Sequence, residues 1–265
     1  MDNGNKETKY RMENGDVIRH NCTDIIFQFA GKRLVICTSP LGGGIRDDLT
    51  AVFNHCDLDP ETYYCDMKGD TYEKHLQETA REIGLDPLRS GGLSTACLMN
   101  KAFVDQFQEK GIHMTFVLSG AISHNGRCAG DHATLWEENG VFSFLDDESI
   151  PSEEENLVHK QKRIIPKPGT INMILHIDAA LTPGALAGAV MVMTEAKVSA
   201  IQTMQCKSCY SERIATGSGT DGIIVIGNQE SSRIITQIRT DTRLGELISG
   251  HIERILTESI IESLK

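Results

Sequence analysis

Two apolar runs with an apolar helix between them constrain this chain more than any other feature. The segment Thr170-Ile171-Asn172-Met173-Ile174-Leu175-His176-Ile177 is β-branched, apolar and of strand length, and it follows Pro168-Gly169. Thr182-Pro183-Gly184 then reads as an N-cap with proline at the first helical position. Ala185 to Met204 supplies about five turns of mostly Ala, Leu, Val and Met, with Glu195 and Lys197 its charges. A second run, Ile223-Ile224-Val225-Ile226, leaves the polar loop Thr216-Gly217-Ser218-Gly219-Thr220-Asp221-Gly222. Strand, helix, strand makes a crossover unit, which gathers its polar residues at the joins. The continuous apolarity of both runs predicts interior strands covered on both faces, over Thr170–Ile177 and Gly222–Ile226. Charges inside a buried helix are costly, so Glu195 and Lys197 need partners.

The rest of the chain fits around this unit. Asp24–Phe29, the turn Ala30-Gly31-Lys32 and Arg33–Cys37 read as a β-hairpin, which implies a mixed sheet. A glycine loop, Ser39 to Arg46, leads to Ala51-Val52-Phe53-Asn54-His55. Thr71 to Gly84 reads as an amphipathic helix, closed by Gly84 and Asp86-Pro87. Lys101–Gln108 suits strand or helix equally, His113–Leu118 is a strand, and an apolar-periodic helix closes the chain. The pattern predicts one layered α/β domain over residues 21–265, with a mixed β-sheet flanked by helices, after a polar N-terminal arm at 1–20 that reads as a loose arm or an edge strand. Residues 140–168 carry two acidic clusters and few apolar anchors, which predicts a mobile or weakly packed loop insertion, conceivably a lid.

Net charge narrows the function. With 26 basic and 37 acidic residues the chain carries −11, which argues against a nucleic-acid partner. No charge-free run of about 18 apolar residues occurs, so no membrane span is expected. Eight scattered cysteines and a polar first segment, Met1 to Glu7, suit a cytoplasmic protein with reduced thiols. Cys206-Lys207-Ser208-Cys209 lacks a second ligand pair, and His124, Asp131 and His132 are a thin constellation, so no metal is expected.

Four blocks in order resemble the adenosylcobinamide amidohydrolase family: Gly169-Thr-Ile-Asn172, Leu181-Thr-Pro-Gly-Ala-Leu186, Thr194-Glu-Ala-Lys197 and Ala215-Thr-Gly-Ser-Gly-Thr-Asp221. The likeness extends to the Ser39 loop with Asn54-His55, to Gly91-Gly92-Leu93-Ser94-Thr95-Ala96, to Asn125–Asp131 and to Thr242–Ile248. It covers residues of about 35 to 250; Leu118-Ser119-Gly120 departs from the family's Thr-Ala-Gly. The resemblance implies hydrolysis of the amide between a corrin propionate and aminopropanol, with a corrinoid as small-molecule substrate and no cofactor required. Loss of hydrolysis, leaving a corrinoid-binding or sensing protein, is the alternative. Self-association into a homo-oligomer stays open.

Amide hydrolysis needs a nucleophile, an oxyanion stabiliser and an acid for the leaving amine. Glu195 reads as general base or as part of a structural ion pair, and Asn172 as a buried amide at a site. Thr216, Gly217, Gly219, Thr220 and Asp221 read as an oxyanion-holding, amide-gripping loop or as a tight turn into the strand. Asn54, Asn125 and Asp131 read as substrate contacts, the last two equally as an Asx-turn pair. All are expected to converge on one cleft.

Overall fold

The computed structural model describes residues 7–58, 67–120, 122, 125–145 and 169–263. Two sheets lie face to face with helices on their outer sides. The first sheet runs β1 (Thr8–Arg11), β2 (Val17–His20), β3 (Asp24–Gln28), β6 (Ala51–Cys56), β7 (Ser90–Thr95). The second runs β5 (Gly44–Arg46), β4 (Arg33–Cys37), β14 (Gly222–Asn228), β12 (Asn172–Ile177), β9 (Ile112–Ser119), β8 (Phe103–Glu109). Here β12 and β14 pair in parallel with Asn172 opposite Gly222, while β9 and β4 flank them antiparallel, so the sheet is mixed.

Side-chain alternation builds the layers. Met173, Leu175, Ile177, Ile223 and Val225 point outward, onto α2 (Pro183–Thr203) and α3 (Arg243–Ser263). Ile174, Ile224 and Ile226 point inward, against Ile25, Phe27 and Val52 of the first sheet. On that sheet's far side Ile26 and Phe53 meet Leu76 and Ala80 of α1 (Tyr72–Glu82). Each fully buried side chain of this size contributes about 1.5–3 kcal/mol. Thr71 caps α1 by accepting from the Lys74 N–H, and Thr182 caps α2 by accepting from that of Ala185, with Pro183 in its first turn. By length and hydropathy α2 would pass for a membrane-crossing helix, but half of that stretch is buried here, between sheet and α3.

At one end of the inter-sheet layer lies a charged network. Asp16 and Arg33, both fully buried, pair at 2.7 Å. His176 Nε2 lies 3.0 Å from Asp16, and Arg33 donates to Asn228 at 2.8 Å. Burial alone would raise the Asp16 pKa; hydrogen bonds from His176 and Arg33 overcome it and hold the carboxyl below its ordinary value.

Several expectations need correction. Residues 24–37 are not a hairpin: β3 lies between β2 and β6, and β4 between β5 and β14, in the other sheet. Both edges of β3 are already paired, and Arg33 carries the chain across on the Asp16 ion pair. Of the two readings of the first segment, residues 8–20 follow the edge strand and not the loose arm: β1 is the edge of the first sheet and β2 its neighbour, with Met12, Asp16 and Ile18 buried. Residues 103–109 are a strand, and the first crossover strand begins at Asn172 rather than Thr170. The expected insertion at 140–168 begins inside an exposed ribbon, β10 (Leu135–Glu138) with β11 (Val141–Phe144), and 146–168 lie outside the described residues.

Candidate functional site

At the other end of the inter-sheet layer the polar groups are neutral. Asn172, first in β12, faces the opposite sheet and donates through Nδ2 to Asn54 Oδ1 (2.9 Å) and to the Ser94 carbonyl (2.8 Å). Its Oδ1 accepts from the Gly222 N–H at 3.1 Å, and Asn54 Nδ2 donates to Ser119 Oγ at 2.6 Å. Asn54, Ser119 and Asn172 are all buried, so these amides hold five strands in register. Ser94 Oγ lies 3.1 Å from the Tyr72 hydroxyl, which extends the set to α1. Burial raises the Tyr72 pKa, so its hydroxyl stays protonated.

One residue along β14 the set continues on the helix side. Lys197, buried on α2, forms an ion pair with Asp221. Asp221 Oδ1 accepts the Ser218 hydroxyl and, at 3.2 Å, the Ile171 N–H. A Cβ on Gly217 would collide with Asp221 Oδ2 and stand 2.9 Å from Lys197 Nζ, so this glycine makes room for the ion pair.

That geometry turns four of the loop's N–H groups away from an oxyanion. The N–H groups of Thr216 and Gly217 point at the Arg127 carbonyl, and that of Ser218 at Asp221. The Thr220 N–H donates to Ser218 Oγ at 3.2 Å. The loop encloses its own carboxylate. Thr216 Oγ1 accepts from the Ala129 N–H at 2.9 Å, the Thr220 carbonyl accepts from Thr170 Oγ1 at 2.7 Å, and Thr220 and Gly219 are exposed.

The structure separates other candidates. Glu195 is exposed, on a groove with Met191, Arg239 and Asp241, whereas Lys197, two residues on, turns to the site. Residues two apart on a helix differ by about 200° in direction, so one of the two had to point away. Asn125 donates to the Gly169 carbonyl, tying its loop to the start of β12. Asp131 is a latch: Ser208 (2.6 Å), Ser211 (2.7 Å) and the Cys128 N–H (2.8 Å) all donate to it. These bonds, the two serine hydroxyls foremost, pull its pKa down to about 2. Gly120, with φ of +100°, lies against the Thr170 carbonyl where no Cβ fits. Lys197, Tyr72, Ser94 and Ser119 are the site residues that pattern missed, whereas Ser218 stands inside the loop already singled out for its hydroxyls. Of the missed residues Lys197 carried a signal, a cation in an apolar helix. Among the described residues no three His, Cys, Asp or Glu side chains are grouped to hold a metal ion.

A cleft of about 820 Å³ opens beside this end, between Thr38–Pro40, the first turns of α1 and the β10–β11 ribbon. Thr38 Oγ1 accepts from the Ile223 N–H at 2.9 Å, next to Gly222, and Tyr72 lines the cleft while touching Ser94.

The family model for adenosylcobinamide amidohydrolase matches residues 8–265. The chain belongs to that family. Segments at Asn54, Ser94, Asn172, Lys197 and Asp221, which resemble this amidohydrolase family's pattern, are among those that meet here. The uncharacterized protein MJ1613 of Methanocaldococcus jannaschii is 29% identical over 246 residues, 91% of this chain and 87% of that protein. The PH0078 protein from Pyrococcus horikoshii OT3, a solved structure, is 11% identical with a TM-score of 0.39, over 98% of this chain and 84% of that one. So loose a likeness carries no argument.

Proposed function

We propose that this protein hydrolyses the amide joining a corrin propionate to aminopropanol in adenosylcobinamide, releasing adenosylcobyric acid in the salvage of corrinoids in the cytoplasm. One observation carries the reading. Family segments far apart in sequence, at Asn54, Ser94, Asn172, Lys197 and Asp221, meet at one end of the sandwich through direct contacts or a shared backbone step. The corrinoid is the substrate and not a cofactor.

In this reading Ser218 supplies the attacking oxygen. Its hydroxyl, half-buried at the mouth of the loop, already donates to Asp221. As Oγ adds to the amide carbon, the proton passes to Asp221. Asp221 then gives it to the departing nitrogen as the C–N bond breaks. Water cleaves the resulting ester by the same route, restoring Ser218. Lys197 holds the carboxylate in position, and the Thr216 and Thr220 hydroxyls grip the amide arm. Asn54 and Asn172 are positioning residues; Asn125 and Asp131 brace the neighbouring loop.

A second reading, corrinoid binding without hydrolysis, draws on the N–H groups of Thr216, Gly217, Ser218 and Thr220, which are bonded within the protein and turned from an oxyanion. Incubation with adenosylcobinamide, followed by mass spectrometry, separates the two. Aminopropanol should appear, and Ser218→Ala should slow its release by about a thousandfold or more. Saturable binding with no aminopropanol from the wild-type protein would install the second reading.

A further inference from the structure

We propose that the β10–β11 ribbon is the platform on which the corrin macrocycle lies, a proposal that rests on the corrinoid reading above. In the antiparallel register Leu135 stands opposite Phe144 and Glu137 opposite Phe142, so these four side chains share one face. Glu137 and Phe142 line the 820 Å³ cleft, which makes this the cleft-side face. Leu135, Phe142 and Phe144 are 46%, 60% and 70% exposed. Large apolar side chains displayed together mark a binding surface.

The cleft favours a flat, cationic, ring-sized ligand. The cleft falls within the range that takes large small molecules. Its wall carries Glu73 and Glu137 against the single cation Lys74, itself paired with Asp70, so it is acidic on balance and complements a cobalt centre's positive charge. It is also continuous with the reactive end: Tyr72 reaches Ser94, and Thr38 holds the strand that begins after Asp221. A macrocycle stacked on Phe142 and Phe144 could therefore extend an amide-bearing arm toward the loop.

Trp136, the chain's single tryptophan, lies on the ribbon's opposite face and serves as a reporter. A corrin absorbs where tryptophan emits, so docking should quench its fluorescence. Titration with cobinamide should give saturable quenching in the wild-type protein. Phe142→Ser with Phe144→Ser should weaken binding and raise KM by about tenfold or more, with kcat little changed. Val141→Ser, on the opposite face, should leave both unchanged. Hydrolysis with wild-type KM in the double variant would overturn the platform and leave the amidohydrolase reading standing. A dimer that dissociates in that variant while KM holds would likewise overturn it, assigning the face to a second copy. No binding and no hydrolysis of any corrinoid by the wild-type protein would overturn both.

Discussion

The two polar ends of the inter-sheet layer are built from opposite materials. At one, Asp16, Arg33 and His176 are charged or titratable, buried without exposure, and bonded to one another and to Asn228. At the other, Asn54, Asn172 and Ser119 are neutral amides and a hydroxyl, and the chain of contacts runs outward to half-exposed Ser218 and exposed Thr220. A buried ion pair resists change because either partner alone would be an uncompensated charge. Neutral amides fix strand ends at lower cost and leave the neighbouring hydroxyls free to meet a ligand. The charged end locks the sandwich, and the neutral end frames a site.

Arg33→Met should be the most damaging single change, costing about 3–5 kcal/mol because Asp16 is left buried without its partner. Urea unfolding would measure it, and a loss below about 1 kcal/mol would break the contrast drawn between the ends. Asn172→Ala should cost less, about 1–3 kcal/mol, by leaving the buried Asn54 Oδ1 without its donor. Unlike the arginine change, it should also slow aminopropanol release in protein that remains folded.

Acid should expose a third contrast, on the loops. The Asp131 carboxyl ionises at about 2 in the folded chain and at about 3.9 in an unfolded one. Its contribution is therefore whole above about pH 4 and is lost as pH falls through 2. Asp131→Asn should flatten the stability curve across that window, while the wild-type curve keeps its slope. The smallest effect belongs to Glu195→Gln. Exposed and turned from Asp221, it should change stability by less than about 0.5 kcal/mol and leave turnover near normal. Abolished turnover in that variant would restore Glu195 to the mechanism and displace Asp221.

How much of this could be read in advance differs by level. The strands at 172–177 and 222–228 were legible because both faces of each are buried, which demands unbroken apolarity. The division into two sheets was not. Burial pattern reports which faces of a strand are covered but says nothing of the neighbours along its edges, so β3 and β4, separated by the four residues 29–32, imitate a hairpin. Asn172 and Asp221 stood out as polar residues beside apolar runs. Between Glu195 and Lys197 periodicity offered opposite directions without naming the inward one. Ser94, Ser119 and Tyr72 matter through carbonyls, hydroxyls and strand neighbours that no local pattern encodes, and Asp131 carries the same letters whether it binds a ligand or ties a loop.

The short crossing at Ala30–Lys32 also sets an order of events during synthesis. Arg33 emerges early, but Asn228, which accepts its guanidinium, lies 195 residues later in the chain. The same is true of the inner edge of β4, whose partner β14 is almost the last strand made. A ribosome-bound chain thus presents an unpaired strand edge until nearly all of the protein has been translated. A nascent chain in that state has an open template for wrong pairing. Speed of translation and protection by chaperones, rather than final stability, would then govern how much of the protein reaches the sandwich.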